Sequence, residues 1–196
     1  MNKKLKLGLT LFVLGLLGVF TMLTVTIPLD NLPKEVVEKI SPQTLKYLVL
    51  INPAILLLIA VIIGTLLYDK VGFSVPTISS ILKIEQPKIK FIEQIKYGII
   101  LGLISGILIT LISIIFKSSL PQEFIDLGNK IKITVIARFI YGGFTEELLV
   151  RFGFMTLVVW IVSKVTNNLV NSTYWIGIIL ASILFGLGHF PVVFNT

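Results

Sequence analysis

The chain has no cysteine and a single histidine, His189. Disulfides, thiolate metal sites and cysteine nucleophiles are therefore excluded. Aspartate is almost as scarce: Asp30, Asp69 and Asp126 all fall between apolar runs, which rules out a catalytic aspartate pair inside a membrane. Charge of any kind is thin, at 14% of residues, against 55% hydrophobic residues and a mean hydropathy of +0.98. Soluble domains carry about 25% charged residues. A water-soluble fold of 196 residues could not bury this much apolar surface, so the composition specifies an all-α, polytopic transmembrane bundle, read as one membrane domain without a linker.

Five apolar runs stand out, at residues 7–29, 47–68, 97–116, 133–162 and 174–194. Each is long enough to cross about 30 Å of hydrocarbon as a helix, which takes roughly 20 residues. The first follows Lys3, Lys4 and Lys6 in the manner of a signal peptide. It exceeds the roughly 7–15 residues of a signal core and has no small-residue cleavage site before Pro28, so it is expected to remain as a span. Asn52 and Pro53 in the second run suit a kink near a membrane face.

Positive residues favour the cytoplasmic side. The N-terminus, the 69–96 connection (Lys70, Lys83, Lys88, Lys90, Lys96) and Lys164 form one set, predicting a cytoplasmic N-terminus. Residues 30–46 and 117–132, whose lysines are offset by acidic neighbours, would lie outside. The net charge of +7 is thus spread over loops, which favours anionic lipid headgroups as partners and argues against nucleic acid. Residues 87–96 mix lysine with bulky apolar side chains and read as an interfacial amphipathic helix. The cysteine-free, isoleucine- and lysine-rich composition fits an AT-rich bacterial genome and a plasma-membrane location.

Gly98, Gly102 and Gly106 repeat every four residues in the third run, the pattern of a close helix-packing face. Ser105 beside Gly106 lacks the spacing of a serine nucleophile turn.

The chemistry concentrates in the fourth run, which holds Arg138, Glu146, Glu147 and Arg151 and so is expected to turn a polar face inward. A charge near the bilayer centre costs about 2.5–3.5 kcal/mol on insertion scales, so three charges within six residues require a compensating network or a wet cavity. Glu147 and Arg151 are spaced i, i+4 and can pair on the helix surface. Glu146, about 100° further round, is left as the freer carboxylate, available as a general base or acid. His189 sits in Phe185-x-x-x-His189 on the following span. Counted from their connection, Glu147 and His189 are about 16 and 15 residues deep, or roughly 22–24 Å at 1.5 Å per residue, so antiparallel neighbours would bring them level.

Glu146-Glu147-x-x-x-Arg151 followed by Phe185-x-x-x-His189 resembles the first two motifs of the CAAX protease and bacteriocin-processing (CPBP, or Abi) family, which includes the type II CAAX prenyl endopeptidases. The resemblance implies an intramembrane endopeptidase in which Glu146 activates a water and His189 orients it or helps hold a metal. Glu147 and Arg151 would support the site. Zn2+ is the cofactor implied, with Glu146 and His189 as its candidate ligands, and the substrate would be a peptide or protein at the membrane. In bacterial relatives such an activity is linked to bacteriocin self-immunity. The family pattern continues with a further histidine followed four residues on by asparagine. Asn195 does not replace it, so the pattern predicts a missing C-terminal part. The alternative is a non-catalytic scaffold or immunity protein, or a truncated inactive homologue, in which Glu147 and Arg151 only lock helices. A proton-relay transporter is a more distant reading, lacking the internal repeat such folds carry.

Overall fold

The computed structural model describes residues 2–26, 40–84 and 90–189. Seven helices carry the described chain. They are α1 (Lys3–Thr21), α2 (Pro42–Leu67), α3 (Pro76–Ile81), α4 (Phe91–Phe116), α5 (Gln122–Lys130), α6 (Val135–Thr166) and α7 (Asn171–His189). Among the described residues there is no strand, only an isolated antiparallel bridge between Thr26 and Lys132. Five of the helices are long and apolar enough to cross a membrane: α1, α2, α4, α6 and α7. The protein is thus a helical membrane protein with the expected number of candidate spans.

Local chemistry explains the helix ends. The Asn2 side chain accepts from the Lys4 amide and Ser41 Oγ from the Thr44 amide, each at 3.1 Å, so both helices start on a side-chain cap. Thr134 caps α6 in the same way. α6 stops at Asn167, which adopts the left-handed conformation that asparagine tolerates better than most residues. After α2 the chain makes a tight turn over Tyr68–Val71 and reverses at Gly72, whose φ of +72° is open to glycine without strain.

The helices overrun several expected boundaries. α1 starts at Lys3 and its helical course ends at Thr24, short of residue 29. α2 begins before Tyr47 and runs unbroken through Pro53. α4 begins at Phe91, so the stretch expected to lie in the interface is already part of the spanning helix from there on. Residues 27–29, 85–89 and 190–194 of the expected elements lie outside the described residues. Where α2 and α4 start ahead of their runs the reason is shared: a backbone helix continues through lysine and glutamate, whose long side chains can reach the interface, whereas an uncharged run stops at the first charge.

By chain contacts the molecule divides into two compact units. The first, drawn from Met1–Ser74 and Ile131–Thr196, holds α1, α2, α6 and α7. Lipid tails are as apolar as leucine, so helices in a membrane associate by close packing rather than by escape from water. Glycines make that packing possible here. A Cβ on Gly153 of α6 would lie 2.5 Å from Ala60 Cβ of α2, and one on Gly15 of α1 would lie 2.7 Å from Leu57 of α2. Gly177 of α7 rests on Val159 and Met155 of α6. Leu7, Leu11, Leu57 and Val159 are fully buried at these contacts.

Polar ties close both ends of this unit. At one end Lys4 pairs with Asp69 at 2.7 Å and its ammonium lies 5.7 Å from the Tyr68 ring centre. Tyr174 donates to the Val71 carbonyl at 3.0 Å at the same end. At the other end the Thr26 amide donates to the Lys132 carbonyl at 3.1 Å, and the Thr24 and Thr134 hydroxyls share a hydrogen bond of 2.5 Å. α1 and α2 therefore run in opposite directions, as do α6 and α7, while α2 and α6 run parallel.

The second unit, Val75–Lys130, holds α3, α4 and α5. Thr77 donates to Gln94 Oε1 at 2.8 Å within it. Thr110 and Ser113 return their hydroxyls to the carbonyls of Gly106 and Ile109, which satisfies these two donors within α4. Within this unit Gly98, Gly102 and Gly106 meet nothing within 4 Å, so the packing expected of that stripe is not made there.

Candidate active site

α6 is not uniformly wound. Arg138–Thr145 and Leu148–Met155 are π-helical, and Glu146 and Glu147 sit between the two stretches. π-Winding is rare and tends to mark functional positions. Three glycines, Gly142, Gly143 and Gly153, lie in these stretches and weaken the ordinary α-helical preference. The Glu146 amide accordingly reaches back five residues, to the Tyr141 carbonyl.

The two glutamates part company as their spacing predicts. Glu147 Oε2 pairs with Arg151 Nε at 3.1 Å. Glu146 has no hydrogen-bond or ion-pair partner among the described residues, and one of its oxygens lies back over Gly142, where a Cβ would be 3.7 Å away. It lies within electrostatic reach of His189, Glu147 and Tyr141.

The expected inward polar face needs correction. The Glu147 and Arg151 side chains are 46% and 71% exposed, so the pair is open rather than enclosed in the bundle. What it lines is a cavity of about 480 Å³ between α6 and α7, bounded by Glu146, Glu147 and Arg151 on one side and by Ser182 and Phe185 on the other. An open cavity, rather than a sealed network, surrounds these charges. A second cavity of about 360 Å³ between α1 and α2 is lined mainly by apolar side chains, with Asn2, Lys4 and Thr65 among them, and carries no carboxylate or imidazole.

His189 is one turn beyond Phe185, at the exposed end of α7. Its Nδ1 lies 2.8 Å from the Phe185 carbonyl, and the two rings are tilted by 55° with centres 4.6 Å apart. A carbonyl can only accept, so Nδ1 is the donor in this bond, and Nε2 is left outside it. The bond fixes the orientation of the imidazole.

The fold thus brings Glu146, Glu147, Arg151 and His189 to the facing sides of two antiparallel neighbours. Three residues of this neighbourhood escape sequence reasoning. Tyr141 and Thr145 flank Glu146 on a helix whose winding has no simple sequence signature, and Ser182 is a hydroxyl of the kind common in spans. Among the described residues no group of three or more His, Cys, Asp or Glu side chains is disposed to hold a metal ion. Zinc sites take three or four protein ligands, so Glu146 and His189 do not by themselves make one.

Comparison with known families agrees with the motif reading. Residues 128–196 match the family model described as type II CAAX prenyl endopeptidase Rce1-like. Over this segment the chain is similar to the CAAX protease family. The segment covers about a third of the chain and contains all four candidate residues. No curated protein and no solved structure matches the chain.

Proposed function

We propose that the protein is an intramembrane endopeptidase that hydrolyses a peptide bond of a membrane-associated peptide or protein, with Glu146 as the base. The observation that carries this reading is an unpaired carboxylate at a cavity in a membrane-spanning helix, within electrostatic reach of an imidazole oriented through its Nδ1. Glu146 takes a proton from a water, and the oxygen attacks the scissile carbonyl. The same carboxyl then returns the proton to the departing amine. His189 Nε2 accepts a hydrogen bond from that water and so fixes its direction. Arg151 occupies Glu147, which keeps the second carboxylate from competing for the proton.

Zn2+ held by Glu146 and His189 would need further donors. Chelation discriminates the cases: activity that survives it assigns the water to Glu146 and His189 alone, and loss reversed by added Zn2+ assigns a metal.

The test is cleavage of a panel of membrane-bound peptides, including C-terminal CAAX-type sequences, by the purified protein beside Glu146→Ala. Cleavage abolished by the substitution supports the proposal. Absence of cleavage by a folded protein favours the scaffold or immunity reading, for which the Glu147–Arg151 pair is the supporting feature. A role in bacteriocin self-immunity would appear as altered sensitivity of cells expressing Glu146→Ala.

For location, we propose the plasma membrane of a bacterium, with the N-terminus cytoplasmic. The natural absence of cysteine makes this directly testable. Lys70→Cys is expected to react with an impermeant maleimide only after the membrane is opened, and Ser119→Cys in intact cells. The reverse pattern would invert the topology.

A further inference from the structure

Hydroxyls on the spanning helices mostly close on their own helix. Thr10 donates to the Lys6 carbonyl, Thr110 to Gly106 and Thr166 to Val162, each four residues back and within 2.9 Å. Thr145 departs from this habit. The carbonyl four residues before it, on Tyr141, receives the Glu146 amide in the π-wound turn. Thr145 Oγ1 instead crosses to α1 and donates to the Gly15 carbonyl at 2.9 Å, and its side chain is completely buried.

α1 is shaped to accept it. A Cβ on Gly18 would run into Thr145 Oγ1 and lie 2.9 Å from the Ile140 carbonyl. A Cβ on Gly15 would press on Leu57 of α2 and, at 3.1 Å, on Leu148 of α6. The α1 backbone is therefore seated directly on the turn of α6 that precedes the two glutamates. Successive residues point in directions roughly 100° apart on an α-helix, and by a similar step here, so a side chain anchored into α1 at 145 turns its neighbour at 146 away from α1. That neighbour lines the α6–α7 cavity.

We propose that Thr145 is a positioning residue: its hydrogen bond to the Gly15 carbonyl sets the rotation of α6 that aims the Glu146 carboxylate into the cavity. The proposal rests on the peptidase reading and adds a part to it, a role for the first helix in a site built from the fourth and fifth spans. A misplacement of about 1 Å at a reacting group can cost about 10²-fold in rate, so loss of the anchor acts on turnover more than on substrate binding.

The experiment compares Thr145→Val, Thr145→Ala and Thr145→Ser with the unsubstituted protein. Val keeps the shape without the donor, Ala removes both, and Ser keeps the donor. Val and Ala are expected to lower kcat by about 10- to 100-fold with KM within about twofold, and Ser to stay within about threefold of the unsubstituted protein. Unchanged kcat in whichever of Val and Ala folds overturns the proposal, as does a Ser variant as slow as Ala. Should the unsubstituted protein cleave nothing, the peptidase reading fails by itself. The anchor is then read from labelling by a hydrophobic carbodiimide, mapped by mass spectrometry. A several-fold change in the Glu146 to Glu147 labelling ratio in Thr145→Val sustains the positioning role, and an unchanged ratio overturns it.

Discussion

Glu146→Gln is expected to lower peptide cleavage by about 10²–10⁴-fold while leaving the protein folded. The substitution keeps the size of the side chain and removes its basicity. Because Glu146 has no ion-pair partner among the described residues, the change leaves no opposite charge stranded. Glu147→Gln is expected to behave differently. It strips Arg151 of the partner 3.1 Å away, in a place where a lone guanidinium is costly, so yield and stability fall together with activity. The comparison is made by kcat on a cleaved peptide alongside unfolding in detergent. Equal behaviour of the two variants, with parallel losses of stability and activity, would sink the division of roles between the glutamates.

Gly153→Leu is expected to destabilise the four-helix unit strongly. The obstacle is backbone: even a Cβ at this position would stand 2.7 Å from Ala60 Cα and 3.1 Å from Ala60 O, and no rotamer change moves those atoms. α2 and α6 would have to separate. Overpacking of this kind costs about 1–3 kcal/mol and sometimes more. At about 3 kcal/mol the thermal midpoint in detergent would fall by about 6–12 °C for a chain of this size. Gly153→Ala is the milder version, its gain in helix propensity of up to about 1 kcal/mol working against the clash. Adding Ala60→Gly should return part of the loss by removing the Cβ at 2.5 Å. A Gly153→Leu protein as stable as the original would mean that this contact does not hold the two helices.

Much of the architecture was legible in the amino-acid order because hydrocarbon imposes a length and a polarity on anything that crosses it. The five apolar runs correspond to five long helices, and errors fell at their ends, where charged side chains extend a helix past its apolar stretch. Glycine was read less well. The regular spacing of Gly98, Gly102 and Gly106 pointed to close packing, while the tightest contacts in the four-helix unit involve Gly18, Gly64, Gly153 and Gly177, with no such repeat. A glycine's role depends on what faces it, and spacing along one helix does not say what that is.

The site divides in the same way. The i, i+4 separation of Glu147 and Arg151 was enough to foresee their ion pair, and the offset of Glu146 enough to leave it unpaired, because both follow from the geometry of one helix. Counting along two antiparallel helices put Glu147 level with His189, and it is the neighbouring Glu146 that lies within electrostatic reach of the imidazole. The open cavity beside the ion pair, the Nδ1–H bond that orients the His189 ring, the π-winding around the glutamates and the anchor from Thr145 to Gly15 were decided only by the tertiary structure. The amino-acid order alone determined a membrane bundle and the residue types of a carboxylate–histidine site, since these depend on composition and on spacing within a helix. The aim of each group depended on which backbones approach closely enough to displace a turn, and that is a property of helices packed together.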